Sequence, residues 1–320
     1  MKKGNIKVLY IAGRGRSGST ILDNLLGQVD GFFSAGEIRL GGRRLAEDSY
    51  CGCGGRLTEC DVWRGVLKKA FGNANRAAAG EMLHLVDMGA RPHQIPQMLM
   101  SNNESLKNSR MGKCVEVIEK LYGAIADATG CEVIVDSSKY PPYAYLLGRV
   151  PMIDLYVVHL IRDSRAVAYS WIRQKQKNIT QSNDPLYRRS VNPVQSSIKW
   201  SLVNLSAELL LGRRRYMRIR YEDIMVNPWK TMRRILDLVG KTPPAYEPLP
   251  GNRINLVTTH TISGNPKRFQ TGTVELRLDD EFKSKMRPSS SRLVTALTWP
   301  LLYRYGYIGG KSRSAGGNET

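Results

Sequence analysis

The residues Gly13-Arg14-Gly15-Arg16-Ser17-Gly18-Ser19-Thr20 have the composition of an anion cradle. Glycines let backbone N–H groups converge on one ligand, the arginines supply charge, and the hydroxyls add donors. The chemistry this implies is the holding of a phosphorylated group. Two known spacings are partly met. Gly13, Gly15 and Gly18 fit the G-x-G-x-x-G of dinucleotide-binding folds, with Glu37 close to the ~20-residue offset of a ribose-binding acid. Gly13 to Thr20 also fits G-x-x-x-x-G-K-[ST], except that Ser19 stands in the lysine's place. That substitution removes the cation that reaches the outer phosphates of a nucleoside triphosphate.

Such a loop needs a strand before it and a helix after it. The apolar run from Lys7 to Ala12 supplies the strand, and Ile21 to Leu26 starts the helix. Further apolar runs of buried-strand type each end in polar residues: Phe32 to Glu37, Glu132 to Asp136 followed by Ser137-Ser138-Lys139, Leu155 to Ile161 followed by Arg162-Asp163, and Tyr216 to Tyr221 followed by Glu222-Asp223. Val115 to Ala128 reads as an amphipathic helix, and Pro228 to Val239 as a helix closed by Gly240. Strands alternating with helices predict an α/β fold, a central parallel sheet flanked by helices, with ligands at the carboxyl ends of the strands. Residues 61–113 are polar, helix-like and broken by Pro92 and Pro96, which suggests a helical insertion capping the site. The expected organisation is one domain over 1–308 and a disordered Gly/Ser-rich tail over 309–320.

A chain of 320 residues with 42% hydrophobic content can bury a sizeable core. Its 48 Lys and Arg against 28 Asp and Glu give a formal charge of +20, suited to an anionic ligand, nucleic acid or an acidic surface. Basic residues are spread through the chain, with only short clusters such as Arg213-Arg214-Arg215, and no RNA-binding signature stands out. No signal peptide and no stretch of ~20 apolar residues is evident, so the expectation is a cytoplasmic protein without stable membrane insertion.

The odd number of cysteines, five, argues against a disulfide scaffold. Cys51, Cys53 and Cys60 cluster, but C-x-C is not the usual C-x-x-C of a zinc site, and three thiolates need a fourth ligand such as His84. The spacing favours packed thiols in a glycine-rich turn, and no metal ligand is assigned. None of His84, His93, His159 and His260 lies in a motif that requires it.

A second motif, Leu160-Ile161-Arg162-Asp163-Ser164-Arg165-Ala166-Val167-Ala168-Tyr169-Ser170-Trp171, puts an arginine at a strand tip and a serine two turns along the next helix. As a plain helix start it needs only Asp163 or Ser164 as cap. In order and spacing it resembles the 3'-phosphate motif of the sulfotransferases that use 3'-phosphoadenosine 5'-phosphosulfate (PAPS). The Gly13–Thr20 loop, with Arg16 ahead of Ser17, Ser19 and Thr20, resembles that family's 5'-phosphosulfate loop. Arg220-Tyr221-Glu222-Asp223 with Asn227-Pro228 is similar to its Tyr-Glu-Asp segment, whose tyrosine lies near the adenine. Ser263-Gly264-Asn265-Pro266-Lys267-Arg268-Phe269 is similar to its late basic glycine loop, which closes over the 3'-phosphate. The resemblance spans roughly Lys7 to Phe269 and points to the bacterial, carbohydrate-type branch, with a P-loop-like sulfotransferase fold.

The resemblance implies transfer of a sulfuryl group from PAPS to a hydroxyl of a small-molecule, carbohydrate or lipid acceptor, with no metal required. Donor-binding positions would be Arg14, Gly15, Arg16, Ser17, Gly18, Ser19, Thr20, Arg162, Ser170, Tyr221, Gly264, Asn265, Lys267 and Arg268. Arg16, where many relatives have lysine, would neutralise the departing phosphate. The Thr-His of the animal cytosolic enzymes is absent, Ser138-Lys139-Tyr140-Pro141 standing there. Glu37 matches the glutamate that acts as base in carbohydrate-type relatives. Its other reading is an ion pair with Arg39 or Arg43 that orders the loop. Lys139 would bridge the donor sulfate or pair with Asp136. A nucleic-acid partner is not expected, a homodimer is compatible with the reading, and the alternatives are an NAD(P)-dependent oxidoreductase or a basic nucleic-acid-binding protein.

Overall fold

The computed structural model describes residues 5–72, 76–101, 109–181, 191–242 and 252–309, with backbone only at 174–181. Described residues of 1–161 and 206–278 form one compact unit, and those of 162–205 and 279–320 form another.

The first unit is built on parallel strands β1 (Ile6–Gly13), β2 (Phe32–Gly36), β3 (Val133–Lys139), β4 (Ile153–Ile161) and β5 (Arg215–Arg220), in the order β2-β3-β1-β4-β5. The sequence reading therefore placed these strands to within a few residues, β3 running on through Ser137-Ser138-Lys139. Because β3 lies between β1 and β2, the order differs from the 3-2-1-4-5-6 of dinucleotide-binding folds.

The strands are apolar at consecutive positions because both faces are covered. On β1, Val8 and Tyr10 face one core with Ile134 and Val157, while Leu9 and Ile11 face another with Val135 and Val158. Helices α3 (Asp61–Phe71), α4 (Arg76–Gly89), α6 (Arg110–Thr129) and α7 (Pro141–Leu147) contribute Trp63, Leu83, Ile118, Tyr122 and Leu146 to the first core. Helices α1 (Ser19–Leu26), α10 (Tyr221–Val226) and α11 (Pro228–Val239) contribute Leu22, Ile224 and Ile235 to the second. Short helix α2 (Gly41–Ala46) precedes them, and α5 (Ile95–Met100) lies between α4 and α6, so the described residues of 61–113 are mostly helical. Helix α11 ends on Gly240, whose φ of 68° supplies the left-handed cap. A small antiparallel pair, β6 (Arg253–Leu256) with β7 (Gly272–Glu275), flanks the late loop.

In the second unit, α8 (Ser164–Gln181) packs Ala168 against Met286 and Val294, the latter on α13 (Pro288–Arg304). A short helix α12 (Phe282–Lys285) and the first part of α9 (Pro193–Leu211) belong here as well. Trp200 is fully buried; its indole N–H donates to the Arg162 carbonyl at 3.0 Å and its ring meets Tyr305 edge-on at 5.8 Å. Ser164 and Thr298 share a hydroxyl hydrogen bond of 2.8 Å.

Candidate functional site

The loop between β1 and α1 is shaped by backbone that only particular residues tolerate. Gly13 has φ 139°, and a Cβ there would lie 2.2 Å from the Leu160 carbonyl oxygen, so β1 and β4 can run this close only with glycine. Gly18 caps α1 at φ 88°, and a Cβ would lie 2.5 Å from the Tyr221 ring. Arg16 adopts φ 76° without being glycine, a conformation that costs ~1–3 kcal/mol and is retained mainly at functional turns. Burial and the neighbouring Arg16 charge both hold the Arg14 guanidinium below its ordinary pKa.

Inside the loop the Ser17 hydroxyl is buried and has no hydrogen-bond partner among the described residues. A buried polar atom costs free energy unless something bonds it, and here glycine backbone, a helix N-terminus and two arginines surround the loop. The fit to an anionic group rests on that combination.

Beside this loop lies the second element of the site. Lys139 pairs in register with Ala12, so it emerges next to Gly13. Its ammonium reaches the Glu37 carboxylate at 2.6 Å and donates to the Ser137 carbonyl at 3.0 Å. The two candidate catalytic groups therefore hold each other. Arg39 pairs with Asp87 and Arg43 with Glu47, so neither alternative ion pair for Glu37 forms, and Asp136 is not the lysine's salt-bridge partner. Irregular pairing positions both side chains. Tyr10–Ala12 of β1 span Asp136–Lys139 of β3, while Ser34–Gly36 of β2 span only Val135–Asp136. Such bulges re-aim side chains at strand ends, and Lys139 completes the turn at φ 68°.

Beneath the pair is a buried network that sequence reasoning missed. Asp23 on α1 accepts hydrogen bonds from Ser34 and Ser137, each at 2.7 Å, tying α1 to β2 and β3. Burial pushes its carboxyl up to about 7 against the pull of those two hydroxyls. Asp136 is pushed up to about 6, again by burial, and accepts from the Ser138 N–H at 2.8 Å and from Ser138 and Tyr122 hydroxyls. Ser138 in turn accepts the Arg39 N–H at 3.0 Å, just beyond Glu37. Nothing in the local spacing singles out Asp23, which reads as one polar residue in a helix.

The remaining predicted positions divide. Tyr221 is buried at the start of α10 with its ring against Gly18, and Arg220 bonds Asp223 at 3.1 Å. In the late loop, Asn265 caps a short turn by accepting the Lys267 N–H at 3.1 Å, and Lys267 is exposed. Arg268 is buried and donates to the Thr261 carbonyl at 3.3 Å and the Tyr50 carbonyl at 2.6 Å. The loop's Ser263 carbonyl accepts the Glu37 N–H at 2.9 Å, and its hydroxyl accepts from Arg44 at 3.1 Å. Within the second unit, Arg162 is buried and donates to the Asp279 carbonyl at 2.6 Å, with the Asp279 carboxylate 3.3 Å away. Asp163 caps α8 by accepting the Arg165 N–H at 2.8 Å, and Ser170 is half-buried about two turns on.

The cysteines give a correction. His84 is exposed on α4, whereas His260 lies beside Cys51, Cys53 and Cys60, and the four ligand atoms fall within 4.8 Å of one another.

A parallel sheet flanked by helices, whose central strand opens through a glycine loop into a helix, defines an α/β protein. The Sulfotransferase family profile matches residues 9–242, and the chain belongs to that family; it is a transferase. The human "Carbohydrate sulfotransferase 2" is 28% identical over a stretch covering 29% of this chain and 24% of that enzyme. Among solved structures, the "Sulfotransferase Domain from the Synechococcus PCC 7002 Olefin Synthase" matches 97% of this chain and 98% of its own at 20% identity, with a TM-score of 0.50, which supports the fold. The "Sulfotransferase Domain from the Curacin Biosynthetic Pathway" matches 92% and 98% at 16% identity and a TM-score of 0.48. Nothing in these comparisons favours the oxidoreductase or nucleic-acid readings. Among the described residues, no helix is long and apolar enough to cross a membrane.

Proposed function

We propose that the protein transfers the sulfuryl group of PAPS to a hydroxyl of a small-molecule, carbohydrate or lipid acceptor, giving a sulfate ester and adenosine 3',5'-bisphosphate. The observation that carries this reading is the Glu37–Lys139 pair standing next to the loop's first glycine, at the carboxyl ends of adjacent strands. When bound, the donor supplies an electrophilic sulfur and a phosphate leaving group. In this reading the loop from Arg14 to Thr20 binds the 5'-phosphosulfate, and Arg16 neutralises charge on the phosphate as its bond to sulfur breaks. Arg162 and Ser170 serve the 3'-phosphate, and Gly264, Asn265 and Lys267 are taken, on their own unit, as donor-binding positions of the late loop. Arg268 supports that loop from behind through its bonds to Thr261 and Tyr50.

Glu37 takes the proton of the acceptor hydroxyl as that oxygen attacks sulfur. Before the donor arrives, Lys139 occupies the carboxylate. A sulfuryl oxygen competes for the same ammonium, so donor binding draws Lys139 away and leaves Glu37 able to accept a proton. The lysine then orients the transferred group while the carboxylate works.

Thermal unfolding with adenosine 3',5'-bisphosphate, NADP or an oligonucleotide tests the donor. Saturation of one site at 100 times Kd stabilises by ~2.7 kcal/mol, so only the bisphosphate should raise Tm clearly. A shift with NADP and none with the bisphosphate would overturn the reading. The Arg162→Ala variant should lose most of the preference for the bisphosphate over adenosine 5'-phosphate; equal loss for both ligands would remove Arg162 from the 3'-phosphate site.

A further inference from the structure

The turn from Cys51 to Cys60 has no part in the chemistry above, yet it is built closely around four ligand atoms. The Cys51 N–H donates to the Gly55 carbonyl at 2.8 Å, and the Gly54 N–H returns to the Cys51 carbonyl at 2.9 Å. This tight knuckle presents Cys51 and Cys53 together. Cys60 sits at the N-terminus of α3, where its side chain makes no cap bond. From 200 and 209 residues away in sequence, the His260 Nδ1 comes to 3.3 Å from the Cys60 sulfur and 3.8 Å from the Cys51 sulfur. A tetrahedral zinc with Zn–S of ~2.3 Å and Zn–N of ~2.05 Å requires S···N separations of ~3.6 Å, between those two values.

We propose that Cys51, Cys53, Cys60 and His260 bind one Zn2+ as a closed structural site. Three thiolates and one imidazole fill a tetrahedral shell and leave no position for water, so the ion has no catalytic role. Soft sulfur ligands in that geometry select zinc over magnesium, calcium or manganese. Binding releases the thiol protons to solvent, and Nδ1 ligation leaves the imidazole proton on Nε2.

The position of the site gives the ion its purpose. The segment carrying His260 is held to the knuckle by the Gly52 N–H donating to the Thr261 carbonyl at 2.9 Å, and to α3 by the Trp63 indole donating to the His260 carbonyl at 2.6 Å. On its other side the same segment joins β2: the Ile262 N–H donates to Ala35 and the Glu37 N–H to Ser263, both at 2.9 Å. Zinc would thus staple the backbone that holds Glu37 and the root of the late loop. The role given to the metal is structural and separate from the sulfuryl-transfer step.

The test is the metal content of the full chain purified under reducing conditions without chelator. One zinc per chain is expected. Cys60→Ser and His260→Ala should each lose it, while Cys114→Ser and Cys131→Ser keep it. Because ligand variants can fail to fold, the wild-type chain is also exchanged with Co2+, which should give the visible and near-ultraviolet absorption of tetrahedral cobalt thiolate. A wild-type chain that binds no stoichiometric metal and gives no such absorption overturns the proposal. So does a Cys51–Cys60 disulfide in the freshly isolated protein, or zinc lost equally from the Cys114→Ser control. None of these outcomes depends on the identity of the sulfuryl donor.

Discussion

The Gly13–Thr20 and Ser263–Phe269 loops look alike as sequence, both glycine-bearing, basic and hydroxyl-containing, yet the fold uses them differently. In the first, strain is stored at Arg16, which takes positive φ without being glycine, and the buried Ser17 hydroxyl bonds nothing among the described residues. In the second, Asn265 caps its own turn, Arg268 bonds two carbonyls through its terminal nitrogens, and Ser263 serves Glu37 and Arg44. The first loop keeps a buried hydroxyl that the fold does not bond, whereas the second bonds much of its own polar surface and turns Lys267 outward. The contrast shows that two basic glycine loops of similar composition can differ in which polar groups the fold itself bonds, and composition alone does not report that.

The largest effect is expected at Glu37, whose carboxylate pairs with Lys139 beside the first loop and whose N–H is held by Ser263 of the second. Glu37→Gln should lower kcat about 1,000-fold, within the range for loss of a general base, while bisphosphate affinity stays near wild type. A variant with unchanged turnover and a lowered Tm would make the Glu37–Lys139 pair a structural tie instead.

Next in size is a pH effect carried by the helix that follows the first loop. Asp23 is pushed up to about 7 in the folded chain, above the ordinary carboxylate value of 3.8 that the unfolded chain shows. Between these values the folded state binds the extra proton, so stability should fall as pH rises from about 4 to about 7, by on the order of a few kcal/mol. Asp136, pushed up to about 6, acts in the same direction. Urea unfolding across that range checks the sign, and Asp23→Asn should flatten the slope. Stability that climbs through the window in wild type would refute the assignment.

The two loops separate most cleanly through adjacent residues of the second. Arg268→Ala strands the carbonyls of Thr261 and Tyr50 and should cost ~2 kcal/mol of stability. Lys267→Ala should leave the Tm alone and weaken bisphosphate binding several-fold. If Arg268→Ala instead unfolds like wild type and loses only ligand affinity, the late loop belongs with the first.

The sequence discloses these features unevenly. Strands buried on both faces are unbroken apolar runs, so β3, β4 and the helix ending at Gly240 could be read directly, and so could the loop that breaks β1 at Gly13. Partners distant in sequence leave no spacing to read. His260 reaches Cys60 only once the sheet is assembled, Asp23 meets Ser137 across α1 and β3, and Lys139 takes Glu37 where Arg39 and Arg43 are nearer along the chain. The hairpin β6–β7 and helix α13 gave no periodic signal strong enough to place them. The tail read as disordered over 309–320 lies outside the described residues except for Gly309.

The smallest predicted effect tests the contrast at its source. The Ser17 hydroxyl is buried without a partner, a situation that costs ~1–3 kcal/mol when nothing bonds the group. Ser17→Ala removes both the hydroxyl and its cost, so the free protein should unfold at an equal or slightly higher temperature. A bound phosphate would lose one donor, worth ~1 kcal/mol or about fivefold in affinity. Opposite signs for stability and binding are the mark of a group kept for a ligand. If Ser17→Ala destabilises the free protein and leaves bisphosphate affinity intact, the hydroxyl serves the fold, and the distinction between the two loops disappears.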